Sequence, residues 1–534
     1  MIDVSVVVPA FNDDERLNAC CVRLNGLPSN YEWIVASEKG KGVAIVNAVK
    51  RARGNIIVTC DTDFRLVEYI PDYVKKFVEA KADILIGDRV YLHKPLSRRV
   101  SSKLYNFYKQ VLFGVLPDTQ SGFKIFKKQA LLQFENQFRI DGFAWDTEFI
   151  YRSKDANLYI VESNITERCE KGTVRASDGF GMIYDLTKLW LSNKYNMLLL
   201  FVSLTFLLGL ILASALTSIP IGTDVHFHYK VAEYYANGQN GMFSATVLEM
   251  NNSPYPPLFH LLLVPSIWLN IQYLFAKILQ IVLPFMIYLS TIVFIRYYTY
   301  PKTELITALL LLSTMGFIDG TIQARPQGLA MIMIPFALFF YIQNKDNKFV
   351  CASGLLAWTH GVAGIANIWL LTIYGFFRGY WKKTFIKLAL VLAPIILITL
   401  IYLGGAVGKW GGATDTYQEY LIFTKPQEMI PYYSGMCLIG WVFLAYNLTR
   451  WMRLSSLEKT LTLSLVGLTV MIPLWADRFL QYSTLTLACI SALGLSRYKR
   501  AQQIVLPLVV VMYVLVTVNL FWTTFTNNWW LYPQ

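Results

Sequence analysis

From residue 197 onward the chain is a succession of apolar stretches. They lie near 197–219, 273–295, 303–318, 327–343, 384–404, 434–449, 458–475, 478–496 and 502–522, and 349–377 is long enough for two short passes around Thr359-His360-Gly361. A run of about 20 apolar residues crosses the hydrocarbon core of a bilayer, where an open backbone has no partner, so such a chain is confined to helices. About eleven spans are predicted on this length criterion. The first 196 residues are built differently: they hold 28 Lys and Arg with 24 Asp and Glu, whereas all the rest hold 20 and 11. Across the 534 residues only 16% are charged, against about 25% in ordinary soluble proteins. A soluble domain followed by a membrane domain is the organisation this implies. Seven scattered cysteines make no disulfide framework, and no CxxC pair offers a zinc site.

The soluble part starts with Val4-Ser5-Val6-Val7-Val8-Pro9, a β-branched run that reads as a buried strand with no signal-peptide pattern, so this domain is expected in the cytoplasm. Further strands are predicted at Trp33-Ile34-Val35-Ala36, Asn55-Ile56-Ile57-Val58-Thr59-Cys60 and Ala82-Asp83-Ile84-Leu85-Ile86-Gly87, alternating with helical segments. That alternation implies βαβ units and a mainly parallel sheet, whose ligands sit beyond the carboxyl ends of the strands. Those ends carry Phe11-Asn12-Asp13-Asp14, Asp61-Thr62-Asp63 and Asp88-Arg89. Two carboxylates one residue apart can share a hard divalent cation that in turn holds a diphosphate. Alone, such aspartates are as often caps of turns or helices. Glu38-Lys39-Gly40-Lys41-Gly42-Val43-Ala44 adds close backbone approach and cations suited to phosphate.

Taken in order, Val8-Pro9-Ala10-Phe11-Asn12-Asp13, Gly40-Lys41-Gly42, Ala52-Arg53-Gly54, Asp61-Thr62-Asp63, Gly87-Asp88-Arg89, Asp118-Thr119-Gln120-Ser121-Gly122-Phe123-Lys124 and Gly142-Phe143-Ala144-Trp145-Asp146-Thr147-Glu148 resemble the GT-A glycosyltransferases of family 2. Within that family the likeness is to dolichol-phosphate mannose or glucose synthases, and it covers nearly all of residues 1–180. The resemblance implies inverting transfer of a hexose from a nucleotide sugar to a polyprenyl phosphate. By position, Asp61 and Asp63 would bind Mg2+ or Mn2+ and the donor, and Pro9, Asn12, Asp13, Lys41 and Gly42 would line the nucleotide pocket. Arg89 would meet phosphate, Asp118 and Gln120 the sugar or acceptor phosphate, and Asp146 and Glu148 would complete the floor. The Asp-Asp-Gly-Ser loop usual after the second strand is replaced by Val35-Ala36-Ser37-Glu38, and Arg65 stands where Gln is common, so GDP-mannose and UDP-glucose both remain open as donors.

A basic, aromatic stretch from Arg175 to Lys194 approaches the first span, and 181–196 is predicted as an interfacial juxtamembrane helix or, alternatively, a helix closing the domain. With residues 1–196 cytoplasmic and 256–271 re-entrant or on the surface, cytoplasmic loops carry 14 of the membrane half's 20 cations, as the positive-inside rule asks. Much of the net charge of +13 therefore reflects membrane orientation, and a nucleic-acid partner is not expected. A multi-pass protein of a prokaryotic plasma membrane is the expected setting.

This topology puts several polar groups on the outer side: Asp224, His226 and His228 after the first span, His260 in Tyr255-Pro256-Pro257-Leu258-Phe259-His260, Arg325, His360 and Asp477-Arg478. Ionisable groups at membrane depth are costly and usually functional. Their order resembles the GT-C polyprenyl-phosphate-sugar-dependent glycosyltransferases over roughly 197–500. By that likeness Asp224 would be the general base toward an acceptor hydroxyl, Arg325 and Arg478 would hold the lipid phosphate, and the histidines would line the site. The expected whole is an α/β GT-A domain followed by an all-α polytopic GT-C-like domain at 197–534. Its expected partners are a nucleotide sugar, a polyprenyl or dolichyl phosphate and the bilayer. Two alternatives are a synthase whose membrane half only anchors or flips the lipid-sugar, and a processive polysaccharide synthase, against which the absence of a Gln-x-x-Arg-Trp motif counts.

Overall fold

In the computed structural model the described residues are 2–10, 14–64, 66–91, 96–114, 116–167, 176–217, 220, 224–239, 241, 256–299, 301–360, 371–372, 374–375, 382–406, 435–471 and 476–525. The chain divides into two compact units, Met1–Met197 and Leu198–Gln534.

The first unit runs β1 (Val4–Pro9), α1 (Asp14–Leu24), β2 (Tyr31–Ala36), α2 (Lys41–Arg51), β3 (Ile56–Thr59), α3 (Ile70–Glu79), β4 (Ile84–Tyr91), α4 (Leu96–Phe113), β5 (Lys124–Lys127), α5 (Lys128–Leu132), α6 (Trp145–Asp155), β6 (Ile160–Glu167) and α7 (Ala176–Leu191). Its six strands lie in the order β2-β1-β3-β5-β4-β6. The period of two along each strand divides the core between the two faces of the sheet. Val7, Ile57, Ile84, Ile86 and Phe126 face one cluster with Trp145 and Phe149, and Val6, Val8, Val58, Leu85 and Ile125 face the other with Phe64 and Phe77.

The mainly parallel sheet expected from the sequence needs one correction. β5 runs antiparallel between β3 and β4. Its four residues, Lys-Ile-Phe-Lys, carry too little apolar patterning to stand out as a strand, and a helix-length crossover is not needed for an antiparallel neighbour. The register has a functional consequence: Thr59, at the end of β3, pairs with Lys124, at the start of β5, and Ile86 of β4 pairs with the same Lys124. The segment after β3, the segment before β5 and the second half of β4 therefore converge at one edge of the sheet.

Helix α7 takes in most of the segment 181–196 and lies within the first unit. Met182, Leu186, Leu189 and Trp190 enter the core of the α/β sandwich, while Phe180, Ile183 and Tyr184 on the other side are exposed.

The described part of the second unit is helical. In chain order its helices are α8 (Lys194–Leu216, beginning just before the boundary), α9 (Asp224–Ala236), α10 (Leu258–Trp268), α11 (Gln272–Arg296), α12 (Pro301–Leu312), α13 (Met315–Ile322), α14 (Pro326–Ile342), α15 (Asp346–Thr359), α16 (Lys382–Ala406), α17 (Ile439–Thr449), α18 (Ser456–Met471), α19 (Ala476–Arg497) and α20 (Lys499–Phe525). Among the described residues three segments are long and apolar enough to cross a membrane: Lys194–Leu216, Gln272–Arg296 and Arg500–Val518. Helix α10, at 11 residues, reaches only about 16 Å at 1.5 Å per residue, short of a crossing.

The span expected at 303–318 is two helices, α12 and α13. Thr314 takes an extended conformation (φ −106°, ψ 108°), and the Ser313 and Thr314 hydroxyls both donate to the Leu310 carbonyl. Side-chain bonds back onto a helix end compete with its continuation. Within this unit, buried charge is paired: Arg296 Nε donates to Glu304 at 2.7 Å, and Arg497 pairs with Glu458.

Candidate active site

Three motifs distant in sequence meet beside the ends of β3 and β5. Lys41, the first residue of α2, places its Nζ 2.9 Å from Asp146 Oδ2 and 3.2 Å from Asp61 Oδ1. Asp146, in the first turn of α6, uses its other oxygen for Lys124 Nζ at 2.6 Å, and Lys124 also donates to the Ser121 carbonyl. The result is an alternating row of Asp61, Lys41, Asp146 and Lys124. Asp146 and Lys124 are 2% and 1% exposed, so the inner end of this row is screened little by water. Burial alone would depress the Lys41 ammonium, but the charges of Asp146 and Asp61 outweigh it and hold its pKa above the ordinary lysine value. Burial likewise works against the Asp146 carboxylate, and Lys124 and Lys41 overcome it, leaving its pKa below the usual range.

Two glycines allow this approach. A Cβ on Gly42 would lie 2.4 Å from the Trp145 ring, where α2 meets α6, and one on Gly122 would lie 2.0 Å from Asp61 Oδ2. The Gly122 carbonyl accepts from Thr59 Oγ1 at 3.1 Å, which ties the loop before β5 to β3.

That loop is held on its other side as well. Asp118 is gripped by both forks of Arg89, Nε at 2.8 Å and Nη2 at 3.2 Å. Burial opposes the Asp118 charge, yet the Arg89 guanidinium keeps its carboxyl below the usual range. Thr119 shares a 2.8 Å hydroxyl bond with Thr147, and Gln120 donates to Thr147 at 3.2 Å and to Tyr105 at 3.3 Å. Lys109 of α4, 2% exposed, donates to the Pro117 carbonyl at 3.0 Å and to Thr119 at 3.3 Å. Tyr105 and Lys109 lie four apart on one face of α4, and no sequence signal marked them. Lys124 and Thr147 stood inside motifs already singled out, without a role of their own.

Burial pushes the Lys109 amine down to about 8, with Asp118 opposing the shift. An unfolded lysine titrates near 10.4, so between about 8 and about 10.4 the unfolded chain binds more protons and folding stability from this group rises with pH. Wild type is expected to gain up to about 3 kcal/mol relative to Lys109→Met across that window. Melting midpoints of both proteins at pH 7.5 and pH 10 check the sign.

Glu148, expected on the site floor, faces elsewhere. Its carboxylate accepts the backbone N–H groups of Arg139 and Ile140, at 3.0 and 2.9 Å, and the Arg152 guanidinium at 2.7 Å. At zero exposure it holds the chain entering α6 and does not present an oxygen to a ligand. Asp63 is exposed two residues beyond Asp61, and Pro9 ends β1. Asn12, Asp13 and Arg65 lie outside the described residues. Among the described residues no group of three or more His, Cys, Asp or Glu side chains gathers to hold a metal.

In the second unit α9 and α10 pack together and bring two histidines into contact. His228 Nδ1 and His260 Nε2 are 3.1 Å apart, and His260 Nδ1 is 3.2 Å from the Pro256 carbonyl. Both rings are buried, at 2% and 0% exposure. Trp268 donates to the Ala236 carbonyl, tying the last residues of α10 and α9 together, and Tyr229 of α9 donates to the Gln272 carbonyl at the start of α11. His226, by contrast, is exposed. His360, at the C-terminal end of α15, pairs with the Tyr482 hydroxyl at 2.9 Å. Arg325 stands at the residue before α14 and is half-buried. Asp224 begins α9 and Arg478 belongs to α19, but their side chains lie outside the described residues.

The arrangement is that of an α/β domain resembling GT-A glycosyltransferases, joined to a largely helical membrane-type unit. No family model matches the chain. Over its N-terminal part it is similar to Glycosyltransferase AglD of Haloferax volcanii, with 27% identity over 202 residues, covering 30% of this chain and 32% of that protein. It is also similar to dolichyl-phosphate beta-glucosyltransferase of Drosophila melanogaster, 26% identical over 215 residues, covering 30% of this chain and 65% of that one. In both cases the chain spans less than two thirds of its relative. Among solved structures, ArnT of Cupriavidus metallidurans bound to undecaprenyl phosphate aligns with 57% of this chain and 61% of that one, at a TM-score of 0.38 and 13% identity.

Proposed function

We propose that this protein is a membrane glycosyltransferase with two active units. The α/β unit moves glucose or mannose from UDP-glucose or GDP-mannose to a polyprenyl or dolichyl phosphate. The helical unit then passes the lipid-linked sugar to an acceptor across the bilayer. One observation carries the first half: the motifs led by Lys41, Asp61, Asp118 and Asp146 meet at a single edge of the sheet, beyond the end of β3.

A phosphate acceptor arrives as an anion, so the unit needs orientation and charge neutralisation more than a base. Arg89, presented from β4, offers a planar fork that suits phosphate oxygens, and Asp118 holds it in position meanwhile. Lys41 brings a fixed positive charge to the start of α2, where a diphosphate can also meet backbone N–H groups. Asp61 and Asp63 are the residues that would hold Mg2+ or Mn2+. Their all-oxygen donor set, with no cluster of three such side chains among the described residues, fits a cation that keeps water and phosphate ligands. Bound there, the cation would neutralise charge on the departing nucleoside diphosphate. In the helical unit Asp224 serves as base toward an acceptor hydroxyl, and Arg325 and Arg478 take the lipid phosphate.

The test is purified protein in lipid with polyprenyl phosphate and labelled UDP-glucose or GDP-mannose. A chloroform-soluble, acid-labile product is expected with one donor, reduced at least about tenfold in Asp63→Ala. No product with any donor overturns the reading. Asp224→Ala is expected to leave that product in place while onward transfer drops about 10²-fold or more.

A further inference from the structure

Helix α4 grips the loop that carries Asp118 on both sides of that residue. Lys109 Nζ donates to the Pro117 carbonyl at 3.0 Å and to the Thr119 hydroxyl at 3.3 Å, immediately before and after Asp118. One turn earlier on the same helix, the Tyr105 hydroxyl accepts from Gln120 Nε2 at 3.3 Å and shares a 3.3 Å bond with Thr147. Thr147 closes the frame from α6, with Thr119 at 2.8 Å and Gln120 at 3.2 Å. Asp118 takes part in none of these bonds; its carboxylate goes to both nitrogens of the Arg89 fork.

A lysine is a costly way to fill this position. Lys109 is 2% exposed, and burial works against its positive charge. An aliphatic side chain of similar length would occupy the space without taking an ammonium out of water. Packing therefore does not account for the amine, and its surroundings point to Asp118. Of the charges around it, Asp118 acts most strongly to keep it protonated, with Glu162 of β6 adding to this and Arg89 of β4 and Lys124 of β5 opposing it. The effect is mutual: after Arg89, Lys109 is the next charge that keeps the Asp118 carboxyl ionised against burial.

We propose that Lys109 is a positioning residue for the acceptor phosphate: it fixes the backbone on both sides of Asp118, and Asp118 in turn fixes the Arg89 guanidinium where the phosphate binds. The proposal rests on reading Arg89 as the group that meets a polyprenyl phosphate. Lys109 itself touches no substrate. A guanidinium fork recognises phosphate through two parallel bonds, so its plane and distance have to be set before the ligand arrives. The donor end of the site is held by a different set of contacts, the row from Asp61 to Lys124. Loss of the Lys109 amine is therefore felt by the acceptor and not by the nucleotide sugar.

Lipid-sugar synthesis by the purified full chain, with polyprenyl phosphate and nucleotide sugar varied in turn, tests this. Lys109→Met removes both bonds at similar volume and is expected to raise KM for polyprenyl phosphate about tenfold, with KM for the nucleotide sugar within about twofold of wild type. Lys109→Gln keeps two N–H donors without the charge and is expected to recover part of that loss. Thr119→Val preserves shape, removes only the hydroxyl between Lys109 and Thr147, and serves if Lys109→Met does not fold; it is expected to raise the acceptor KM at least about threefold. In the double variant the effects of Lys109→Met and Thr119→Val are expected not to add, because both act through one link. A wild-type acceptor KM in Lys109→Met or in Thr119→Val, equal losses for donor and acceptor, or Lys109→Gln no better than Lys109→Met each overturns the proposal alone. Wild type that makes no lipid-sugar with any donor overturns the underlying reading of the α/β unit, and the proposal with it.

Discussion

Asp146→Ala is expected to abolish lipid charging and to remove the cooperative unfolding transition of the α/β unit. Among the described residues Asp146 pairs with Lys124 at 2.6 Å and with Lys41 at 2.9 Å, and Lys41 also meets Asp61. Removing it leaves two ammonium groups close together at the inner end of the row, with Lys124 only 1% exposed. Breaking a buried ion pair from one side costs about 3–5 kcal/mol, against a total stability of about 5–15 kcal/mol for a domain. Asp146→Asn keeps the shape and a hydrogen-bond acceptor but not the charge, and is expected to be impaired to a similar degree. Thermal melts followed by circular dichroism and limited proteolysis of both variants provide the check; a wild-type transition in Asp146→Ala refutes the expectation.

The pH dependence has a definite sign. The folded-state pKa of Asp146 is lowered by Lys124 and Lys41 against the effect of burial. Its stabilising contribution is thus fully present above the unfolded carboxylate value of about 3.9 and is lost as pH falls through the lower folded value.

Gly122→Ala is expected to have the opposite profile, a folded protein with little activity. The new Cβ would stand 2.0 Å from Asp61 Oδ2 and 2.2 Å from its carboxyl carbon, so the carboxylate must move. Gly122 is not in the left-handed region, and alanine can adopt its backbone. The bond from Thr59 to the Gly122 carbonyl involves no side chain at position 122 and can persist. Displacing a binding group by about 1 Å costs about 10²-fold in rate, and the contact here requires more than that. The expected result is a loss of at least about 10²-fold in kcat/KM for lipid-sugar synthesis, with a melting midpoint close to wild type. Near-normal kcat/KM would show that Asp61 can be repositioned without harm, and would count against its assignment to the donor site.

Much of the first unit was legible because its signals are local. β1, β3 and β4 announce themselves as β-branched runs of four to eight residues, and their ends carry the acidic and basic residues that later form the site. β5 was not legible as a strand, since Lys-Ile-Phe-Lys has no periodicity beyond its two central residues. The backbone contacts of Glu148 were not legible for a related reason. Asp146 and Glu148 look equivalent in Trp145-Asp146-Thr147-Glu148, but on a helix residues two apart point in different directions. One meets Lys41 and Lys124, and the other meets the backbone at Arg139 and Ile140. In the helical unit the apolar stretches were visible at once, while the break at Ser313-Thr314 turns on hydroxyls bonding back to Leu310, which hydropathy does not register.

By itself the sequence determined the division into an α/β part and a helical part, the order of the strand-end motifs, and the chemistry those motifs offer. Each of these depends on residues within one segment, through charge density, apolar period or spacing. The tertiary structure alone decided which motifs touch. The antiparallel insertion of β5 puts Lys124 beside Thr59, brings Gly122 against Asp61, and lets Lys41 bridge Asp61 to Asp146. The packing of α9 on α10 likewise turns two histidines 32 residues apart into a hydrogen-bonded pair. Contacts of this kind depend on strand register and helix packing over long separations, and no local pattern of residues encodes them.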